Sequence, residues 1–325
     1  MIAWLWARTV KSPNPAFAQV DVPLASTFVL STKAGKEAYV EPVIEGSSYR
    51  FTVRAGRPGN PAAAKNGTKL ARANFSCLMS GTPISGDYVK SEGRAGRMGA
   101  RLMAVVAEGQ RSRVYLAPTA QHEAAARSAK PTWKPEGEIA SRMTGGNCTP
   151  YGLTTWGDLF TDRQLVALTT FSDLVDEVRE RVERDAVGAG LFDHGRSLEQ
   201  GGSGAAAYAE AVGVFLALGI SRFSDRNNAL CTWDSGPVGT KASTGGSART
   251  ASLRNLFARQ AIPMAWDFGE ANPFSDSGGG YNSALEWIEP AVRALNGFSR
   301  GHAQMADAQN QAVSSGKVVS SDPPY

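Results

Sequence analysis

Ser321-Asp322-Pro323-Pro324-Tyr325 closes the sequence, directly after a short apolar run that contains Val318-Val319. Two adjacent β-branched residues suit a buried parallel strand. The two prolines fix φ and remove two N–H donors, so the backbone turns out of a sheet with its carbonyls free to accept. An acid beside such a carbonyl accepts both protons of one amino group, and a tyrosine stacks on a flat ring. Open α/β sheets bind ligands just outside the carboxyl ends of their strands, which is where this turn would sit. The stretch therefore predicts an α/β fold with an amino-group site after its terminal strand.

Asp-Pro-Pro-Tyr after a Val-Val strand resembles the catalytic motif of the amino-methyltransferases that act on adenine or cytosine in DNA. Longer stretches sharpen the resemblance: EGRAGRMGARLMAVVAEG at 92–109, YGLTTWGDLF at 151–160 and WDFGEANPFSDS at 266–277. Together they are similar to the bacterial adenine-specific DNA methylases that carry an inserted zinc ribbon, over nearly the whole chain. The resemblance implies transfer of a methyl group from S-adenosylmethionine to adenine N6 in DNA, on a doubly wound α/β sheet. By the same match, Asp322 and the Pro323 carbonyl accept the two amino protons and Pro324 completes the turn. Tyr325 stacks on a base flipped out of the duplex. Asp307, in the Asp307-Ala308 turn, contacts the adenine of the cofactor. Positioning and electrostatics carry the rate, with no covalent enzyme intermediate.

Two short segments, Ser12-Pro-Asn-Pro-Ala-Phe17 and Cys77-Leu-Met-Ser80-Gly-Thr-Pro83, have the outline of zinc knuckles without most of the cysteines. By the resemblance, Ser12, Phe17 and Ser80 stand at three ligand positions, and only Cys77 keeps its thiol. Tetrahedral zinc needs about four N or S ligands, so the expectation is no bound metal.

Composition sets the outer bounds. The chain has 325 residues, 42% hydrophobic and 20% charged, which is ordinary for a globular protein with two domains or one elaborated domain. A net charge of +4 mildly favours a polyanionic partner. Three cysteines, far apart and odd in number, argue against a disulfide framework and for a reducing cytoplasm. The first residues lack the basic start and cleavage site of a signal peptide. The longest apolar stretch, 211–221, is about half of what a membrane span needs, so no membrane partner is expected.

Three regions follow. Residues 1–118 read as a β-rich, degenerate zinc-ribbon insert with hairpin turns at Gly35 and Gly46. Residues 119–260 read as mainly helical. Residues 261–325 read as part of an incomplete Rossmann-like methyltransferase core. In the middle region Thr161 and Gln164 form a capping box, and apolar residues from Leu165 to Val182 recur at helical spacing, which predicts an amphipathic helix on a core. A second helix from Ala205 to about Arg226 is apolar nearly all round and is predicted to be buried. The aromatics of 151–160 suit either stacking on an unpaired base or stapling of the first helix.

Arg94, Arg97 and Arg101 are spaced three and four apart, so a helix would set them on one face where they meet DNA phosphates. A solvated face explains the same spacing. Leu102–Ala107 and Arg113–Ala117 read as a hairpin about Gly109. Asn272-Pro-Phe followed by glycines faintly resembles the Gly-rich loop that holds the cofactor in these enzymes, but Asp276 interrupts it, and a structural loop is the expectation. A separate Gly-rich loop would then come from another segment or a second chain. On that view this chain is a fragment inactive alone, a subunit of a split methylase, or a non-catalytic DNA-binding remnant.

Overall fold

A computed structural model describes residues 1–110, 112–140, 147–236, 251–257 and 261–294, with 310–312, 314–316, 318 and 320. Ala3-Trp4-Leu5-Trp6-Ala7 shows no polar alternation, and it becomes the central strand of the main sheet, β1 (Ala3–Lys11). β2 (Asp21–Pro23) pairs with the far end of β1. β3 (Val29–Ser31), β4 (Ala38–Glu45) and β5 (Ser48–Ala55) form a three-stranded sheet. Helix α1 (Pro61–Asn66) precedes a second small sheet of β6 (Lys69–Ala71), β7 (Asn74–Ser76) and β8 (Pro83–Ile84). Helix α2 (Gly86–Arg94) leads into the hairpin β9 (Gly99–Glu108) and β10 (Arg113–Leu116), as its sequence predicts. Helices α3 (Ala120–Arg127), α4 (Asp162–Gly188) and α5 (Ala205–Ser224) follow. The two-residue strands β11 (Trp233–Asp234) and β12 (Ser252–Leu253) pair with each other. Last come β13 (Asp267–Ala271) and α6 (Tyr281–Ala294).

The fold is mixed α/β, and the strand pairings among the described residues are antiparallel. The main sheet runs β10-β9-β1-β13, with β2 also on β1. Residues 266–280 are not all loop: Asp267–Ala271 is an edge strand whose Phe268 lies opposite Trp6. β1, β9 and β13 share one sheet and one compact unit, Met1–Ile288, although the sequence places β13 in a different region from the other two.

β1 is apolar throughout because both of its faces are covered. Ala3, Leu5 and Ala7 face a core with Phe28, Leu30, Val40, Tyr49, Phe51 and Met103, which come largely from the β3-β4-β5 sheet. Trp4 and Trp6 face the other way, with Leu102, Val105, Phe268, Ala126 of α3 and Ala229. At roughly 1.5–3 kcal/mol for each large side chain fully buried, these two faces stabilise the sheet more than its hydrogen bonds do. Arg8 ends the apolar run. Burial lowers its pKa to about 10, and its guanidinium donates to the carbonyls of Ala265 (2.8 Å) and Ala229 (3.0 Å).

Two of the stretches that carry the family resemblance meet backbone to backbone. A Cβ on Gly93 would collide with the Tyr151 carbonyl, and one on Gly152, whose φ is 87°, with the Gly93 carbonyl. Tyr151 then packs edge-on against Trp266 at 4.8 Å, inside a core with Phe75 and Val89.

The capping box of α4 forms as expected: Thr161 N donates to Gln164 Oε1 (2.9 Å) and Gln164 N to Thr161 Oγ1 (3.3 Å). Only the first turns of α4 reach a core, through Leu165, and its later apolar positions Leu174, Val178 and Val187 are exposed. The expectation of a buried α5 is corrected in the same way. Ala205, Ala207, Ala209, Gly213, Gly219 and Phe223 are inside, whereas Tyr208, Val214 and Leu218 are half exposed. α5 packs on α4 along one side and on α6 at Gly219, where a Cβ would meet Leu285, and its other side is open. By length and composition, α5 is a helix apolar enough to cross a membrane, at a mean hydropathy of 1.3 with 28% of that window buried. The helix is longer than the apolar stretch 211–221, and its further Ala residues keep the mean hydropathy high although Glu210 and Arg222 interrupt the apolar run.

The second unit, Glu289–Tyr325, contains the end of α6 and a turn at 314–316, where Ser314 N donates to Gln311 Oε1 (3.1 Å).

Candidate functional site

The residues on which the sequence argument opens, Asp322, Pro323, Pro324 and Tyr325, lie outside the described residues, as does Asp307. Of the strand expected before them, Val318 is described; it is exposed and belongs to no strand.

The three arginines do not form a row. α2 ends at Arg94, and Arg101 lies on β9, so no single helix carries all three. Gly96, at φ 68°, turns the chain between them. Arg97 is held by Glu92 in a two-pronged pair (2.7 and 3.0 Å), which raises the pKa of the arginine and lowers that of the glutamate. Arg101 donates to Glu123 of α3 (2.8 Å) and sits over the Tyr49 ring at 5.2 Å. A guanidinium already neutralised by a carboxylate has little left for a phosphate. Arg94, at the end of α2, is exposed and forms no ion pair among the described residues, whereas Arg97 is exposed but paired.

The knuckle segments converge although 65 positions separate them. Ser12 Oγ lies 3.2 Å from Cys77 Sγ, and both residues are buried. Ser80 Oγ donates to Thr82 Oγ1 (3.0 Å). Burial pushes the Cys77 pKa up. Hydrogen bonds from Ser12, Ser80 and the backbone N–H groups of Ser80 and Met79 outweigh that, so the thiol rests below its ordinary value. Among the described residues no three His, Cys, Asp or Glu side chains gather as a metal site requires.

The loop after β13 bonds within itself and to its neighbours. Asn272 Nδ2 donates to the Met1 carbonyl (2.9 Å), while its Oδ1 accepts from Phe274 N (3.1 Å). Ser275 Oγ donates to the Asn272 carbonyl (2.9 Å), and Gly280 N bonds Ser277 O (2.8 Å) before α6 begins. The loop borders an open cleft of about 690 Å³ whose rim mixes Lys33, Arg113, Glu108 and Asp276. With Asn272 bonded to Met1 and Ile2 and the Gly278 and Gly279 carbonyls taken by Arg226 and Asn227, the loop is held as structure, and no catalytic step is assigned to it.

A different site lies on the tryptophan face of β1. Trp4, Trp6, His122 and Ala126 of α3, Arg163, Gln164 and Ala167 of α4, Asn227, Glu270 and Pro273 enclose a cavity of about 330 Å³, within the ordinary range of small-molecule sites. Its floor is an ion pair: Arg163 grips Glu270 with two N–H groups (2.6 and 2.8 Å), and Thr161 Oγ1 donates to the same carboxylate (2.7 Å). The Arg163 guanidinium also stacks over the Trp6 ring at 4.5 Å and donates to the Ala126 carbonyl (3.2 Å). Two donors on this wall, Trp6 Nε1 and Gln164 Nε2, are buried without a partner. Gln164 cannot resolve this by flipping its amide, because the capping box holds Oε1. His122 Nδ1 accepts from Thr119 N (3.2 Å), so the proton of the neutral ring lies on Nε2.

Nothing in the sequence reading pointed to this cavity. Two signals were there: Trp4 and Trp6 at strand spacing share a face, and Glu270 is a charge flanked by Gly269 and Ala271 in a short strand.

Comparison of the chain with protein-family models, with curated proteins and with solved structures found no match.

Proposed function

We propose that this chain belongs to a DNA adenine-N6 methyltransferase of the kind that carries a zinc-ribbon insert, here with the metal ligands replaced. On this reading β1 and β9 belong to the insert, residues 1–118, and β13 to the methyltransferase region, 261–325, and one antiparallel sheet joins them. The observation that carries the reading is the contact of Ser12 with Cys77. The resemblance puts these two residues at ligand positions in two separate knuckle segments, and they lie 3.2 Å apart. The close approach of Gly93 to Gly152 joins two of the stretches on which the resemblance rests.

The chemistry falls to the terminal turn. An adenine amino nitrogen is a poor nucleophile because its lone pair is delocalised into the ring. The Asp322 carboxylate and Pro323 carbonyl accept its two protons and localise that pair, while Tyr325 stacks on the base. The contribution of these groups is placement and electrostatics. S-adenosylmethionine supplies the methyl group, with Asp307 its assigned contact. DNA is the partner, and a second chain bearing a Gly-rich loop completes the enzyme if methylation is split between chains. The pairing of Arg97 and Arg101 with carboxylates weighs against the other reading, a purely DNA-binding remnant held by that arginine row.

The test uses protein isolated from its own cells with any chains that accompany it. Labelled methyl groups from S-adenosylmethionine should pass to adenine in DNA, and Asp322→Ala and Asp322→Asn should both abolish the transfer. Transfer that is absent from the wild type, or equal in the variants, would refute the proposal.

A further inference from the structure

We propose that the cavity between β1, α3 and α4 binds a small, uncharged, apolar molecule built on a flat ring. Shape sets the first limit. The volume of about 330 Å³ lies at the low end for a ligand site, so the occupant is one compact molecule. The two large aromatic side chains of the wall are recessed. Trp6 is buried and Trp4 half-buried, and neither stands among the exposed apolar side chains of the surface. A macromolecular partner needs a face of about 800 Å² on each side, which a recess between three elements does not offer.

The wall sets the second limit. The surface that meets the cavity is almost wholly apolar, and it comes from Trp4 and Trp6 of β1, Ala125 and Ala126 of α3, Ala167 of α4 and Pro273. The unpaired N–H groups of Trp6 and Gln164 are sealed inside that wall with almost no accessible surface, so they offer an occupant no bond. Affinity then comes from apolar area removed from water. The alanines leave the space, and the indole rings favour a flat ring in offset contact with them.

Charge sets the third. Arg163 and Glu270 hold each other through two hydrogen bonds, and Thr161 Oγ1 adds a third to the carboxylate. An ionised occupant would lose its hydration with no counter-ion to meet it, so the occupant is neutral.

Occupancy ties together β1, α3, α4 and the end of β13, which are far apart in sequence. A molecule that binds only this assembled wall stabilises the fold by mass action. The inference goes beyond the methyltransferase proposal and does not rest on it. Asp322 plays no part in it, so either can fail while the other stands.

The experiment is calorimetry on the whole protein with naphthalenemethanol in one arm and naphthoate in the other. The two probes share their rings and nearly their size and differ in charge. The alcohol should bind with a negative heat-capacity change and raise the melting temperature. The carboxylate should bind at least about tenfold more weakly. Ala125→Phe and Ala167→Leu fill the recess from two different helices, so one reports if the other does not fold. Each should weaken the alcohol at least about tenfold, while the unliganded variant melts as the wild type does or higher. In nitrogen–proton spectra the indole signals of Trp4 and Trp6, assigned by their loss in Trp4→Phe and Trp6→Phe, should move with the alcohol. The proposal is overturned if the alcohol does not bind at millimolar concentration, if the carboxylate binds as tightly, or if both filled variants bind as the wild type does. It is also overturned if sedimentation shows that the alcohol dissociates a dimer, which would make a second copy of the chain the natural occupant.

Discussion

Replacing Arg163 by Met is the sharpest probe of how the site is built. Glu270 is 6% exposed as a side chain and Arg163 28%. Loss of Arg163 removes both short hydrogen bonds and leaves the carboxylate with only Thr161 Oγ1. Stripping one partner from a buried pair costs about 3–5 kcal/mol. The partial exposure of Arg163 admits water to the orphaned carboxylate, which places the cost near the lower end, about 3 kcal/mol. For a unit of this size each kcal/mol is worth about 2 °C, so the melting temperature should fall by about 6 °C. The pair itself adds less than its removal costs, because apolar residues fill the same space without desolvating a charge. Glu270→Met in the Arg163→Met background should therefore recover most of the loss, with a coupling energy of about 2 kcal/mol in a double-mutant cycle. Chemical denaturation of the four proteins measures it. An Arg163→Met variant within 1 kcal/mol of wild type, or a double variant that merely adds the two losses, would refute the reasoning.

Asp267 is half-buried, and desolvation raises its pKa although Ser26 N donates to it at 2.7 Å. The native state then binds that proton more tightly than the unfolded chain, so the contribution of Asp267 to stability is present at low pH and lost as pH rises through its native pKa. Asp267→Asn keeps an acceptor for Ser26, and it should melt higher than wild type at pH 7 with the gap closing toward pH 4; a variant that melts lower at pH 7 contradicts this. All three thiols are buried, and burial pushes Cys231 up to about 12, so a disulfide reagent should modify none quickly in native protein and all three after denaturation. Metal analysis should find no stoichiometric zinc, whereas one zinc per chain would mean that the knuckle recruits ligands other than Ser12, Phe17 and Ser80. For DNA, Arg94→Glu should lower non-specific affinity and flatten the salt slope by about one unit. Arg97→Glu and Arg101→Glu should instead act mainly on folding, read as a lower melting temperature.

Local rules made the small elements legible. The α4 capping box, the β9–β10 hairpin and the turns at Gly35 and Gly46 depend on neighbours in sequence, and they appear where the residues put them. Long-range pairing was not legible. β13 joins β1 across more than 250 positions, and nothing in Trp266–Gly280 announces which edge it takes. Helical spacing misled at Arg94–Arg101, because Gly96 breaks the helix that would have aligned them. The exposure of α5 was missed for another reason: an Ala- and Gly-rich apolar surface packs as closely against one neighbouring helix as it would inside a core. The tryptophan cavity escaped because its members come from five separate stretches, each ordinary alone.

The most direct test of the methyltransferase account is the methylation state of adenine in the DNA of the cells that carry this gene. Asp322→Ala and Asp322→Asn, introduced at the native locus, should each remove one class of N6-methyladenine while the unaltered gene retains it. An identical adenine methylation pattern in wild-type and both variant cells would contradict the account.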